Sequence, residues 1–376
     1  MGEGCGLVEA EAGFWMGFYD SEGRLVKRAG GPGEGPGEFR DPVLVPLFGK
    51  DSLLLFDKVL PRFQVLAEDG AYGRGVLHVR GWPSGRVPPL GAKGDRVLFR
   101  GGRTPANQSG RPREGLVITE RWYFWYDLLS GDTMHLATFQ FESYQTREVL
   151  VAVPFRARPA AAVGGGGVLL TDGRTPEVRE YDTAGRLLHV FRVEEARRPV
   201  TRAMLERRLE TESAGYPPES AMSRQAYVAE LYAPVPVPDS LPVFQTLLVD
   251  EVGWLWAEVY DFDPAQPREW VVFDEGGRAH GTVQTPPGLE VQWIGRDAIL
   301  GVWKDEFDVE YVHRHRLTRA PPPRGARGGR GGSSGGWGCM ELTARGAWEV
   351  GLGVPPLSLE CPRAVYPQQC GGGVRG

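Results

Sequence analysis

The sequence of 376 residues contains little that would tie it to a membrane, a disulfide framework or a zinc centre. It has four cysteines, and none lies between Cys5 and Cys339, so the body of the chain has no disulfide and no cysteine-bound metal. Cys339, Cys361 and Cys370 follow at gaps of 22 and 9 positions, which match no zinc motif. No apolar run reaches the roughly eighteen residues of a membrane-spanning helix, and we therefore predict no transmembrane segment.

Charge is balanced, and lysine is scarce. The formal net charge is −5, which gives no reason to expect a polyanionic partner, so nucleic acid is an improbable ligand. An arginine-glycine run at 324–332 resembles RNA-binding low-complexity sequence, but one short run is weak evidence. The N-terminus has neither a basic region nor an uninterrupted apolar core, so the chain as given predicts no signal peptide.

A sequence motif, consisting of apolar residues, an acidic residue and a glycine turn, recurs along the chain. Each copy predicts a β-hairpin, in which glycine is available for the positive φ of the turn. Outside one helical interval the copies recur about every fifty residues, the spacing of four-stranded propeller blades. The predicted turn glycines are Gly23, Gly70, Gly131, Gly185 and Gly276.

A second sequence motif occurs three times, and two of these copies lie just before such a hairpin. An aspartate ends one strand, and about six residues later another strand opens. Asp57 precedes Gly70 by thirteen residues, and Asp172 precedes Gly185 by the same distance, so these two units match in register. The third unit has Asp305 followed by Tyr311, at the offset that separates Asp57 from Phe63.

These sequence motifs resemble those of a known family. "GGPGEGPGEFRDP" followed by "LLLFD…RFQVLAEDG" is similar to the six-bladed β-propellers of the NHL-repeat type, and in particular to uncharacterised bacterial members. The resemblance covers residues 14–319. It implies an all-β, six-bladed propeller and an extracytoplasmic address, since such proteins are usually secreted or lipid-anchored.

Within that resemblance, Gly35, Pro36, Gly37 and Phe39 would form the crossing from the outer strand of one blade to the inner strand of the next. The glycines permit a tight path, the proline stiffens it, and Phe39 can wedge between blades. The alternative is a flexible linker. Ala10 stands where the repeat has Asp57, and no strands precede it, so we expect a first blade that lacks two strands, through either a late start or closure by C-terminal strands.

Two segments depart from the repeat. Thr201 as a helix cap, followed by Met204, Leu205 and Leu209, predicts a helical insertion over about 196–234. We expect it to cover one face of the ring as a lid or contact surface. Residues 320–376 are rich in glycine and arginine, and we predict a disordered tail there, which leaves 1–319 as the propeller domain.

Few residues suggest chemistry. Asp57, Asp172 and Asp305 could form a ring of carboxylates at a channel mouth, but we favour turn capping, with Arg62 paired to Asp57. The aromatic strand 121–127 is better explained by packing than by a sugar or base platform. His313 and His315 share a strand face, which we interpret as exposed rather than metal-binding.

The sequence therefore favours a non-catalytic binding or scaffold propeller without a cofactor, because it contains no G-x-S-x-G elbow, P-loop or H-E-x-x-H motif. An unknown protein, peptide or carbohydrate would bind at the channel mouth or the helical insertion. The alternative is a metal-dependent propeller enzyme, a lactonase-like hydrolase or a peptide-amidating-lyase-like enzyme. Calcium or zinc would then lie in the central channel, with Asp57, Asp172 and Asp305 as the first candidate ligands.

Overall fold

The protein folds into six small sheets that follow one another along the chain, with two helices between the fourth and fifth. The computed structural model describes residues 7–11, 14–19, 24–48, 52–67, 70–78, 88–103, 114–147, 149–193, 198–214, 223–319 and 350–351. Neither helix in this part of the chain is long and apolar enough to cross a bilayer.

The strands and helices are, in chain order, β1 (Leu7–Glu11), β2 (Trp15–Tyr19), β3 (Leu25–Gly30), β4 (Pro42–Val45), β5 (Leu47–Phe48), β6 (Ser52–Asp57), β7 (Arg62–Ala67), β8 (Tyr72–His78), β9 (Gly91–Lys93), β10 (Arg96–Arg103), β11 (Gly115–Asp127), β12 (Thr133–Gln145), β13 (Leu150–Ala152), β14 (Ala160–Val163), β15 (Gly167–Thr171), β16 (Glu177–Asp182), β17 (Leu187–Arg192), α1 (Arg202–Ala214), α2 (Arg224–Tyr232), β18 (Phe244–Val249), β19 (Leu255–Val259), β20 (Arg268–Phe273), β21 (Ala279–Thr285), β22 (Glu290–Ile294), β23 (Ala298–Lys304), β24 (Glu310–Leu317) and β25 (Val350–Gly351).

The strand order within the sheets is that of a propeller. Sheet 1 is β1-β2-β3, sheet 2 is β4-β6-β7-β8, and sheet 3 is β5-β9-β10-β11-β12-β13. Sheets 4, 5 and 6 are the simple meanders β14 to β17, β18 to β21 and β22 to β25. Each pairing is antiparallel except that of β5 with β9. The predicted all-β propeller fold is confirmed, and all five predicted hairpins are present.

Packing between consecutive sheets forms the core. Side chains alternate along a strand, so Leu54 and Phe56 face sheet 3 whereas Leu55 faces sheet 1. Five buried clusters of the described chain repeat this arrangement, and each joins one sheet to the next, from sheets 1 and 2 to sheets 5 and 6. No cluster within the described residues joins sheet 6 to sheet 1.

The aromatic strand β11 follows the same rule. Phe124 and Tyr126 pack toward sheet 2, and Tyr123 and Trp125 pack toward sheet 4. All four rings are buried, which accounts for aromatic residues on both faces of one strand.

The hairpin turns after β16 and β20 share one hydrogen-bonded design. In the turn after β16, the Asp182 carboxylate accepts hydrogen bonds from the amides of Ala184 and Arg186, both at 2.8 Å. Gly185 takes a φ of +76°, and its amide donates to the Asp182 carbonyl. In the turn after β20 the same position is Gly277, with φ +80°, so the prediction of Gly276 was wrong by one residue: the left-handed position comes three residues after the aspartate, here Asp274. Gly70 and Gly131 also have positive φ, and Gly23 lies outside the described residues.

The glycine-rich segment between β3 and β4 runs from the outer edge of sheet 1 to the inner strand of sheet 2. Phe39 is fully buried between these sheets. The amide of Gly37, at φ +76°, donates to Gln64 at 2.7 Å, whereas Pro36 is exposed. The amide of Gly35 donates to the Glu38 carboxylate at 2.8 Å.

In the part of the chain that the structure describes, sheet 1 is incomplete, as predicted, but it lacks fewer strands than expected. The prediction that it lacks two strands is wrong, because β1 passes through Ala10 and pairs with β2, with Ala10 opposite Met16. Within the described residues sheet 1 therefore has three strands. At the other end of the chain, β25 pairs with β24 through Gly351 and Arg316, and the rest of the predicted tail lies outside the described residues.

The helical insertion begins and ends close to the predicted bounds. The hydroxyl of Thr201 accepts a hydrogen bond from the Met204 amide at 3.2 Å at the start of α1. Ser223 caps α2 in the same way. From α2, Leu231 packs with Val151 and Val153 at the end of sheet 3. The insertion is therefore part of the packed structure.

A buried ion pair ties sheet 5 to the chain that follows β24. Asp250, in the turn after β18, has a side chain with no exposed surface. One of its oxygens accepts from the amides of Val252 and Trp254, and the other accepts from Trp256 Nε1 at 2.9 Å and Arg319 Nη2 at 2.7 Å.

We expect Asp250→Asn to lower the free energy of unfolding by about 2–4 kcal/mol, because the amide removes the charge that compensates Arg319 and cannot accept all four bonds. Urea titration followed by tryptophan fluorescence measures this. Asp132→Asn, at an exposed turn, is the charge-matched control. Equal midpoints for the two variants would refute the role given to this pair.

Candidate functional site

A cavity of about 290 Å³ lies beneath α1, where the ends of sheets 3 and 5 meet. Its wall comes from four segments: positions 152–158 after β13, Arg208 on α1, positions 244–246 at the start of β18, and positions 260–262 after β19. The lining combines three arginines with several aromatic side chains and one carboxylate, Asp261. It is therefore a cationic cavity whose wall is partly aromatic and partly polar.

Arg156 is the best-anchored arginine of the cavity. Its Nη1 donates to the Glu142 carbonyl at 2.8 Å and to the Ser143 hydroxyl at 2.9 Å. Its guanidinium lies 3.9 Å from the centre of the Phe141 ring, in cation–π geometry. Its Nε is buried and has no hydrogen-bond partner within the described residues. The side chain is thus fixed in place with donor capacity left over.

The backbone before Arg156 is strained. Phe155 has a φ of +52°, a region that bulky residues rarely adopt. Its ring is buried and packs edge-on against Phe262 at 5.2 Å between ring centres. This packing holds the turn that carries Arg156 into the cavity wall. Non-glycine residues in such conformations concentrate at binding sites.

The helical insertion closes the cavity through ionic and polar contacts. Arg207 of α1 forms an ion pair with Asp263 at 3.0 Å, next to the segment at 260–262. Arg208 lines the cavity and pairs with Glu212 at 2.8 Å. Arg198, ahead of α1, donates to the carbonyl of Tyr260 at 2.8 Å. Arg207 and Arg198 therefore fix α1 and its approach against the segment that follows β19, whereas the Arg208–Glu212 pair lies within α1.

Electrostatics in the cavity reflect crowding of positive charge. Burial, followed by the charges of Arg158 and Arg121, lowers the pKa of Arg156 to about 10. Burial raises the pKa of Tyr260, so its phenol stays neutral at pH 7. Arg156 is still a cation at neutral pH, although the charges of Arg158 and Arg121 repel it.

The structure does not bring the three predicted aspartates together. Asp57 accepts from the amides of Arg40, Val59 and Leu60. Asp172 accepts from the amides of Arg174 and Thr175, and Asp305 from those of Phe307 and Val309. Each carboxylate thus caps its own turn. Across the described residues no group of three or more acidic, histidine or cysteine side chains could hold a metal ion.

Arg62 departs from its predicted role. It forms no ion pair with Asp57, although both residues are described; its guanidinium instead reaches the carbonyls of Glu34, Gly35 and Glu38 in the crossing segment. A guanidinium offers several donors, and three backbone acceptors satisfy more of them than one carboxylate already occupied by amides.

His313 and His315 share one face of β24, but that face is not exposed. Both are half-buried, and His313 stacks on Trp303 at 5.7 Å between ring centres. Their face is the one that packs toward sheet 5, because Ile299 lies opposite His315 and belongs to the core between sheets 5 and 6. Burial lowers the pKa of both side chains, and the neighbouring His313 lowers that of His315 further.

The comparisons with known proteins assign no family to this chain. No family model matches the chain, and no curated protein is significantly similar to it. A member of the DUF4221 family from Bacteroides vulgatus is 9% identical, with a TM-score of 0.42 over 80% of this chain and 87% of that one. A candidate exported protein from Bacteroides fragilis is 12% identical, with a TM-score of 0.37 over 80% and 79%. The calcium-binding protein regucalcin from Agrobacterium tumefaciens is 9% identical, with a TM-score of 0.30 over 79% and 77%. Because all three TM-scores lie below 0.5, the fold is inferred from the chain's own sheet order and packing.

We expect stability to fall below about pH 6.5 because of His313 and His315. Their pKa values are lowered in the folded protein, so the unfolded chain binds more protons as the pH drops below the ordinary histidine value of about 6.5. The stabilisation is complete above that pH and is lost as the pH falls; each group contributes a slope of at most about 1.4 kcal/mol per pH unit.

Urea unfolding at pH 7.5 and 5.5 measures the effect. His313→Phe combined with His315→Leu should flatten the pH dependence, whereas His135→Gln, at an exposed histidine, should leave it unchanged. A double variant with the wild-type slope would assign the acid sensitivity to other groups.

Proposed function

We propose that the protein is a ligand-binding propeller whose site is the cavity beneath the helical insertion. The observation that carries the proposal is the fixed but unsaturated Arg156, which lines the cavity beside the strained Phe155 and whose buried Nε has no hydrogen-bond partner in the described chain. Concave, largely apolar sites with a few polar groups are the usual form of small-molecule sites. The insertion supplies one wall through Arg208.

Binding without catalysis is the function that the lining residues support. Arginine and aromatic side chains recognise and orient a ligand, whereas acid–base chemistry needs a group that changes protonation near neutral pH. Arg156 and Tyr260 both titrate far from pH 7, since burial lowers the first pKa only to about 10 and raises the second. No reaction is therefore proposed for this cavity.

Closure into a six-bladed ring of the NHL-repeat type, with an extracytoplasmic address, belongs to the same proposal. Six successive sheets joined by five buried clusters support the ring. An experimental structure with sheet 6 packed on sheet 1 would agree with this closure, and cell fractionation would test the address. A structure in which sheets 1 and 6 do not touch would overturn the ring closure. Recovery of the protein in the cytoplasmic fraction would overturn the extracytoplasmic address.

We expect Ala152→Trp to abolish ligand binding, because the indole would fill the cavity that Ala152 lines. A thermal shift assay measures binding. The probes are an anion (phthalate), a sugar (glucose), a neutral amide (benzamide) and a cation (benzamidine). At least one of them should raise the melting temperature of the wild type by a few degrees and leave the variant unmoved. Ala184→Trp, in an exposed turn, is the size-matched control.

If none of these probes shifts the wild-type protein, the cavity is not a binding site. A shift that Ala152→Trp retains would place the site elsewhere in the molecule.

A further inference from the structure

Arg156 and Arg158 are the cavity arginines whose charges no acidic side chain of the described chain compensates. Arg208, the third, is paired with Glu212 at 2.8 Å. Arg156 is held by a carbonyl, a hydroxyl and an aromatic ring, all of them uncharged. Arg158 is exposed at the rim and makes no hydrogen bond or ion pair with the described residues. The excess positive charge is therefore concentrated at one end of the wall.

The opposing charge in the cavity is small. Asp261 is the one carboxylate among the lining residues, and one of its oxygens accepts from the Asp263 amide at 2.9 Å. Asp263 itself pairs with Arg207. A cavity with two uncompensated arginines and one partly occupied aspartate favours an anion over a neutral or cationic ligand.

The rest of the wall is mixed, since Gln245, Thr246 and Tyr260 supply polar groups and apolar residues lie beside them. Val153, Phe155, Phe244 and Phe262 contribute side chains beside the arginines. Tyr260 and Phe262 are partly exposed, so an organic body would bury against their rings, whereas a bare inorganic ion would leave them uncovered. The volume of about 290 Å³ limits that body to about the size of one substituted ring.

We propose that the cavity binds a small organic oxyanion, a carboxylate or phosphate group on an apolar body, with Arg156 and Arg158 holding the oxyanion. The inference rests on the proposed function, since it names the ligand class of the same cavity. A guanidinium presents paired N–H donors that match the geometry of carboxylate and phosphate oxygens. An oxyanion between the two arginines would also relieve the repulsion that their proximity creates.

Isothermal titration calorimetry with four probes of similar shape tests the ligand class: phthalate, phenyl phosphate, benzamide and benzamidine. We expect at least one of the two anions to bind, more weakly as sodium chloride is raised, and the neutral and cationic analogues not to bind. The ratio of phthalate to phenyl phosphate affinity distinguishes a carboxylate source from a phosphate source.

Arg158→Met should weaken anion binding by about 10- to 100-fold, the range for the loss of a charge-assisted hydrogen bond. Arg158→Lys should retain part of the affinity because it keeps the charge. Arg314→Met removes the same charge at an exposed position of sheet 6 and should bind like the wild type.

Thermal melting without ligand separates this role from a structural one. Arg158→Met should melt at or above the wild-type temperature, because it removes a positive charge beside Arg156 and no described contact. A lower melting temperature, with anion binding reduced in proportion, would overturn the assignment of Arg158.

Two further outcomes are decisive. If benzamide or benzamidine binds and Ala152→Trp abolishes it while neither anion binds, the cavity is a site but the oxyanion assignment is wrong. If none of the four probes binds, the oxyanion assignment fails, and the proposed function fails with it when glucose also leaves the melting temperature unchanged.

Discussion

The structure depends on a single constraint, which is that an inner strand of each middle sheet must bury both of its faces. Leu54, Leu55 and Phe56 on β6 show the pattern, with two side chains toward sheet 3 and one toward sheet 1. Each fully buried side chain of this size contributes about 1.5–3 kcal/mol of hydrophobic stabilisation. Polar groups in such a strand have no solvent to face, so the chain places them at strand ends, in turns and in the insertion.

This constraint explains why the fold could be predicted from the sequence. Uninterrupted apolar runs such as those of β6 and β15, each followed by an aspartate, are the direct consequence of two-sided burial. The turn after β16 requires an aspartate that caps amides and, three residues later, a glycine of positive φ. Both requirements are local, so both are visible in the sequence. The confusion of Gly276 with Gly277 arose where two adjacent glycines satisfied the same pattern.

The cavity could not be predicted in the same way, because its wall comes from segments that lie far apart in the chain and share no motif. Phe155 and Arg156 follow β13, Arg208 belongs to the insertion, and Tyr260 follows β19. The sequence did point to the insertion as a covering element. A usable signal for the rest was the Arg156–Arg158 pair with no acidic residue beside it, but only the packing of Phe155 shows that the pair faces a cavity. Asp57, Asp172 and Asp305 became candidate ligands because they recur at one position of the repeat. That same position places each carboxylate on the amides of its own turn.

The helical insertion also has a second role that a sequence pattern does not show. Because Leu231 covers Val151 and Val153, removal of the whole insertion would expose apolar surface of sheet 3 as well as opening the cavity. Its loss would therefore combine a packing defect with a binding defect, and single substitutions in the cavity wall are more informative.

Phe155, with its left-handed backbone, and the uncompensated Arg156 and Arg158 are local exceptions within a structure that is otherwise well packed. Phe155 is held by its packing against Phe262 and Arg156 by uncharged partners, but no acidic side chain of the described chain compensates the two positive charges. Such exceptions are typical of positions kept for a ligand rather than for stability, and they are the local observations from which the cavity is proposed as the binding site.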